Sequence, residues 1–83
     1  MRFDVLLHEL RLFKSRSQAA AAIQEGEALL DGAMVKPSRE ARAGQRITLK
    51  TPAGVRTLQV LELPGKGVSK ERAKALVREV PQG

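Results

Sequence analysis

The chain has 83 residues, no cysteine, one histidine, two phenylalanines and neither tryptophan nor tyrosine. Its 15 Lys and Arg against 9 Asp and Glu leave a net charge of +6, a balance that favours a polyanionic partner. Disulfides, thiolate metal sites and cysteine nucleophiles are thereby excluded, and no apolar run reaches the roughly 20 residues that a membrane span needs.

Residues 1–83 read as one small domain, long enough to bury only about 60% of the surface its unfolded chain exposes. The scarcity of aromatics argues against base-stacking platforms and for recognition by phosphate contacts and shape. Asp4, His8 and Glu9 interrupt the N-terminal stretch where a signal peptide would need an apolar run, so a cytoplasmic protein is expected.

Residues 3–13 are expected to form a first helix. Phe3, Leu6, Leu7, Leu10 and Phe13 fall on one apolar face, with Asp4, His8 and Arg11 on the polar side. Lys14 and Ser15 would make a very short joint to a second helix over 16–25. Ser15 is placed to cap it, and Gln18, three residues on, to reach back in a capping box. Ala19, Ala20 and Ile23 are expected to pack inward, and Gly26 to end the helix. Arg11, Lys14 and Arg16 crowd the start of this helix, where the dipole prefers anions. A phosphate at that point would meet free N–H groups and cations together.

A short strand follows over 27–30, then Asp31-Gly32, a strong hairpin signal, with 33–35 as the returning strand. Lys36-Pro37-Ser38-Arg39 should leave it as a loop. After a turn at Ala43-Gly44, Arg46 to Lys50 alternates as a half-buried strand, and Thr51 to Gly54 is a turn. Val55 to Leu63 reads as the longest strand, central or covered on both faces. Beyond the Pro64–Gly67 loop, Ser69 should cap a last helix over 70–79. Val68, Ala73, Leu76, Val77 and Val80 would form its apolar stripe, and Lys70, Arg72, Lys74 and Arg78 its wet side. Pro81-Gln82-Gly83 is expected to fray. The fold class is therefore α+β: two N-terminal helices on a small, mostly antiparallel sheet, plus a C-terminal helix.

This order of parts resembles the RNA-binding domain first named for small-subunit ribosomal protein S-four, the alpha-L motif. The matching residues are Arg2-Phe3-Asp4, Arg11 to Ala19, Gly26, Asp31-Gly32, Val35-Lys36-Pro37-Ser38, and Gly44 before Ile47-Thr48-Leu49. They cover residues 2 to about 50, and the strand and helix over 55–80 make the whole chain similar to the stand-alone heat-shock-protein-fifteen group.

The resemblance implies a non-catalytic protein without cofactor or metal, monomeric, binding structured RNA. That RNA would be ribosomal, on the large ribosomal subunit, including subunits stalled with a nascent chain. It further implies that RNA lies across the helix joint and the hairpin loop. By position the contacts are Arg2, Arg11, Lys14, Ser15, Arg16, Ser17 and Gln18 on the helices, and Lys36, Ser38 and Arg39 on the loop. The family's usual Asn-Gly turn is Asp31-Gly32 here, which would put a negative charge near that face. Val5, Leu6 and Leu7 stand where relatives usually carry a basic or aromatic residue.

Other readings weigh less. A DNA-binding helix–turn–helix needs long polar side chains on its second helix, and this one is nearly polyalanine. Nothing in the chain pairs with His8 to suggest catalysis. A basic module docking an acidic protein, or one acting on transfer RNA or another structured RNA, remains the alternative.

Overall fold

The computed structural model of the chain describes residues 1–81. Its elements are α1 (Phe3–Glu9), α2 (Arg16–Gln24), β1 (Ala28–Leu30), β2 (Arg46–Thr51), β3 (Gly54–Val60), α3 (Lys70–Ala75) and β4 (Val77–Val80). The strands form one four-stranded antiparallel sheet in the order β1-β2-β3-β4. The α+β expectation holds, with helices and an antiparallel sheet.

Strand register sorts the side chains. Ile47 faces Leu30 on one side and Leu58 on the other, and Ala28 lies opposite Leu49. These residues and Val60 share one face of the sheet, where they are buried with Phe3, Leu6, Leu7, Leu10, Ala19, Ala22, Ile23 and Leu76 in one apolar cluster. Arg46, Thr48 and Lys50 alternate with them and point to the opposite face. No helix among the described residues is long and apolar enough to cross a membrane.

The first helix ends at Glu9, earlier than its periodicity suggests. The Arg11 N–H donates to His8 O at 2.9 Å and the Leu12 N–H to Leu7 O at 3.1 Å. That pair of bonds is a Schellman ending, which usually needs glycine at the left-handed position. Here Arg11 fills it, with φ 61°, so no sequence signal marked the stop. Leu12 and Phe13 keep their apolar spacing because they still pack on the core from an irregular connection.

The second helix matches its signals closely. The Gln18 N–H donates to Ser15 Oγ at 3.1 Å, as expected of the cap. The reciprocal half of the capping box is missing: among the described residues the exposed Gln18 side chain returns no bond to Ser15, since water competes for it. The buried inner positions are Ala19, Ala22 and Ile23. Ala20, expected inside, is only half-buried. At the far end the Gly26 N–H donates to Ile23 O (3.2 Å) and the Glu27 N–H to Ala22 O (2.9 Å), a second Schellman ending, this time with glycine at φ 77°.

Asp31 and Gly32 both have positive φ (50° and 78°), and Leu30 and Ala33 exchange both backbone bonds across them, a tight primed turn. The returning strand over 33–35 does not form beyond that bridge. The Asp31 carboxylate accepts from the Arg46 N–H at 2.9 Å and from Gln45 Nε2 at 2.9 Å. It therefore ties the turn to the start of β2, and the bonds from Arg46 and Gln45 hold its carboxyl below the usual carboxylate range.

The long strand expected over 55–63 stops at Val60. It is central in hydrogen bonding, between β2 and β4, but Leu61 and Leu63 lie outside it and are exposed. The last helix stops at Ala75 instead of 79. Ser69 caps it as expected, accepting from the Arg72 N–H at 3.2 Å. Val77 to Val80 then pair with β3, Val77 against Val60 and Val80 against Thr57. The open edge of β3 offers this segment a full ladder of hydrogen bonds, which an exposed final helical turn would not have. Pro81 follows in irregular backbone, and Gln82 and Gly83 lie outside the described residues.

Gly26→Ala tests the close of α2. A Cβ there would lie 3.3 Å from Met34 Sδ at a φ of +77°. The substitution is expected to cost about 1–2 kcal/mol, read as a drop of several degrees in the thermal midpoint by circular dichroism.

Candidate nucleic-acid interface

The first turn of α1 begins with Arg2 as its N-cap, and no side chain caps it. Its free N–H groups are met by the loop after the hairpin. The Phe3 N–H donates to Arg39 O at 2.8 Å and the Asp4 N–H to Pro37 O at 3.1 Å. The loop itself is closed by the Arg39 N–H donating to Lys36 O at 2.9 Å. Backbone hydrogen bonds thus fix the Lys36–Arg39 loop against α1.

Asp4 sits at the centre of this junction. The sequence placed it on the wet side of the helix; it is buried, 4% exposed. Cations surround it, and their hydrogen bonds and charge offset the cost of burying a carboxylate. Arg2 Nε and Nη2 donate to its two oxygens at 3.1 Å each, a bidentate fork. The Val5 N–H adds a bond at 2.8 Å. Arg16 Nη2, from the first turn of α2, lies 3.8 Å from Asp4 Oδ2. The cation that the helix dipole disfavours at this position thus has a carboxylate beside it. Both guanidiniums remain about half exposed, at 51% and 55%. One carboxylate between two arginines leaves the cluster net positive, with both guanidiniums partly exposed.

An open groove of about 570 Å³ runs beside this cluster, lined by Arg2, Asp4, Ala20, Gln24, Val35, Lys36, Pro37 and Ser38. Half-buried Ala20, Val35 and Pro37 give it an apolar part. Arg39 is exposed on the same loop. Glu40, next along, does not neutralise the groove: it pairs with the N-terminal ammonium, whose hydrogen bond and charge hold its carboxyl below the usual range. Asp31 is bound to the start of β2, so the negative charge expected near this face is committed elsewhere.

The ten candidate residues therefore divide. Arg2, Lys36 and Ser38 line the groove and Arg16 joins them through Asp4, while Ser17 and Gln18 on α2 and Arg39 on the loop are exposed. Ser15 is half-buried, its oxygen occupied by the Gln18 N–H. Arg11 and Lys14 do not join this group. They lie at the opposite end of α1, beside His8 and Lys70, and the half-buried His8 ring meets Phe13 O at 3.5 Å. Sequence reasoning missed Asp4, whose burial periodicity did not show, and the groove residue Gln24.

Comparison with known proteins gives the family. The family model for the S4 domain matches residues 1–47. The chain belongs to the S4 domain family. That match spans both helices, the turn and the loop that frames the groove. Two curated relatives, the RQC P-site tRNA stabilizing factors of Helicobacter pylori strains J99 and 26695, are each 33% identical over 64 residues, which is 77% of this chain and 76% of theirs. Among solved structures, the trimeric Heat Shock Protein 15 of Vibrio cholerae superposes with a TM-score of 0.89 at 28% identity, covering 96% of this chain and 81% of that one. The solution structure of a hypothetical protein superposes at 0.82 with 27% identity over the full length of both. The chain is thus placed in the S4 family's heat-shock-protein-fifteen-like group.

Asp4→Ala tests the junction. Removing an acceptor for charged donors is expected to cost about 1.5–3 kcal/mol, measured as a lower urea midpoint. Arg16→Ala, which breaks only a half-exposed ion pair, is expected to cost less than about 1 kcal/mol.

Proposed function

We propose that the protein is a non-catalytic RNA-binding module acting on the ribosome, whose groove takes the backbone of a structured RNA. The observation that carries this reading is the convergence of Arg2 and Arg16, held by one buried carboxylate, with Lys36 and Ser38 on a loop pinned to the same helix end. Planar guanidiniums in a fixed orientation suit phosphate oxygens. A groove lined by no aromatic side chain suits contact by shape rather than base stacking. Membership of the S4 family supports RNA as the polyanion.

The relatives' name supports a finer reading: ribosome-associated quality control, at large subunits carrying a nascent chain and a P-site transfer RNA. On this reading Arg2, Ser15, Arg16, Ser17, Gln18, Lys36, Ser38 and Arg39 face the RNA, ribosomal RNA being the leading target and transfer RNA the alternative. The whole chain acts as one cytoplasmic RNA-binding domain and as a monomer, in contrast to the trimeric Vibrio cholerae protein.

Binding to an RNA hairpin, followed by fluorescence anisotropy across salt concentrations, tests this. With about six phosphates contacted, log K should fall against log salt with a slope near −4 to −5. Arg16→Ala and Lys36→Ala should each reduce the slope by about one unit and weaken binding to all sequences alike. A flat salt response, or a preparation that carries an acidic protein and no 260 nm absorbance, would contradict the reading.

A further inference from the structure

The two candidate residues left outside the groove have a structural neighbour of their own. The α1–α2 connection and α3 meet because two bonds tie them. Arg11 Nε donates to Val68 O at 2.9 Å, and the Gly67 N–H donates to Glu9 Oε2 at 3.1 Å. Arg11 holds the left-handed conformation, unfavourable for a residue with a side chain, and its guanidinium reaches this loop from there. The consequence is a second cleft. One part of it, about 450 Å³, is lined by His8, Arg11, Leu12, Phe13, Lys14 and Lys70. The adjoining part, about 350 Å³, shares Arg11, Leu12 and Lys70 and adds Lys74, Arg56 and Val77 among its walls.

The charges here are one-sided. Lys14, Lys70 and Lys74 are exposed, and no ion pair engages them among the described residues. The acidic groups nearby are Glu9, committed to the Gly67 N–H; Glu79, paired with Arg56 at 3.0 Å; Glu71, beside Lys70 on α3; and exposed Glu27, which lines a neighbouring pocket with Arg11, Leu12 and Phe13. The floor is half-buried Leu12 and Phe13. None of the residues lining this cleft lines the first groove, and the two sit at opposite ends of α1.

We propose that this cleft, with Arg11, Lys14, Lys70 and Lys74 as its cations, is a second RNA-backbone contact, so that the bound RNA extends past the first groove along α1 onto α3. The proposal rests on the RNA-binding reading above. One feature favours RNA over an acidic protein: the apolar floor includes a partly exposed aromatic ring, against which a ribose or base can lie while phosphates meet the lysines.

The test uses the full chain and the Lys70→Ala/Lys74→Ala double variant. Both side chains are exposed, so the thermal midpoint should not move. The probe is a fluorescein-labelled RNA hairpin with a single-stranded tail, long enough to span both ends of α1. The double variant should lower the salt slope by about 1.5 and weaken binding roughly tenfold at low salt, while amide shifts around Arg2 and Lys36 on RNA addition stay as in the native chain. An unchanged slope and affinity would overturn the second contact while leaving the first groove intact. If Arg16→Ala and Lys36→Ala also change nothing, the RNA reading itself fails. Polyglutamate serves as the competing probe: binding to the native chain as tightly as the hairpin, and lost in the double variant, would make the cleft an acidic-protein site and overturn the proposal.

Discussion

The candidate interface depends on one buried carboxylate. Asp4 sits where the first turn of α1, the first turn of α2 and the loop after the hairpin meet, and it is the only buried charged residue among those described. An isolated carboxylate there would be costly, so burial obliges it to recruit cations. It recruits Arg2 in a bidentate fork and Arg16 across the helix pair. Two long side chains that would otherwise sample many rotamers are held with their outer N–H groups facing solvent. Ordering them before a phosphate arrives reduces the entropy lost on binding.

The second constraint is backbone geometry. The hairpin turn at Asp31-Gly32 needs positive φ at both central positions, and the Asp31 carboxylate locks it to β2. From that turn the chain runs to the Lys36–Arg39 loop, whose carbonyls close the open end of α1. A slip in the turn would therefore move the loop, uncap α1 and shift Asp4. The same helix is closed at its other end by Arg11 in a strained conformation, and from there the connection leans on α3. Each end of this seven-residue helix thereby organises its own cluster of cations.

Much of this was legible in the sequence, and the gaps have physical reasons. Ser15, Gly26 and Asp31-Gly32 announce themselves because caps and positive-φ turns admit few residue types. The end of α1 was not legible, since Arg11 takes a position normally reserved for glycine and Phe13 continues the helical spacing. The end of α3 was missed for a related reason. Val77 and Val80 fit a helical stripe as well as strand alternation over so short a stretch, and only the free edge of β3 decides between them. Periodicity placed Asp4 on the wet side because it cannot see a loop folding over that side. Arg11 and Lys14, read as part of one site with Arg16, line a separate pocket with His8 and Lys70, a division that spacing alone does not show.

The claim that RNA crosses the groove organised by Asp4 is tested most directly by amide chemical shifts of the ¹⁵N-labelled chain during titration with a structured ribosomal RNA fragment. The account predicts that the backbone signals of Arg2 to Asp4, Arg16 to Gln18 and Lys36 to Arg39 move together and saturate at one protein-to-RNA ratio. The opposite face of the sheet also carries cations, at Arg46, Lys50 and Arg78. Shifts confined to those three residues and their neighbours, with Arg2, Arg16 and Lys36 unmoved, would contradict it.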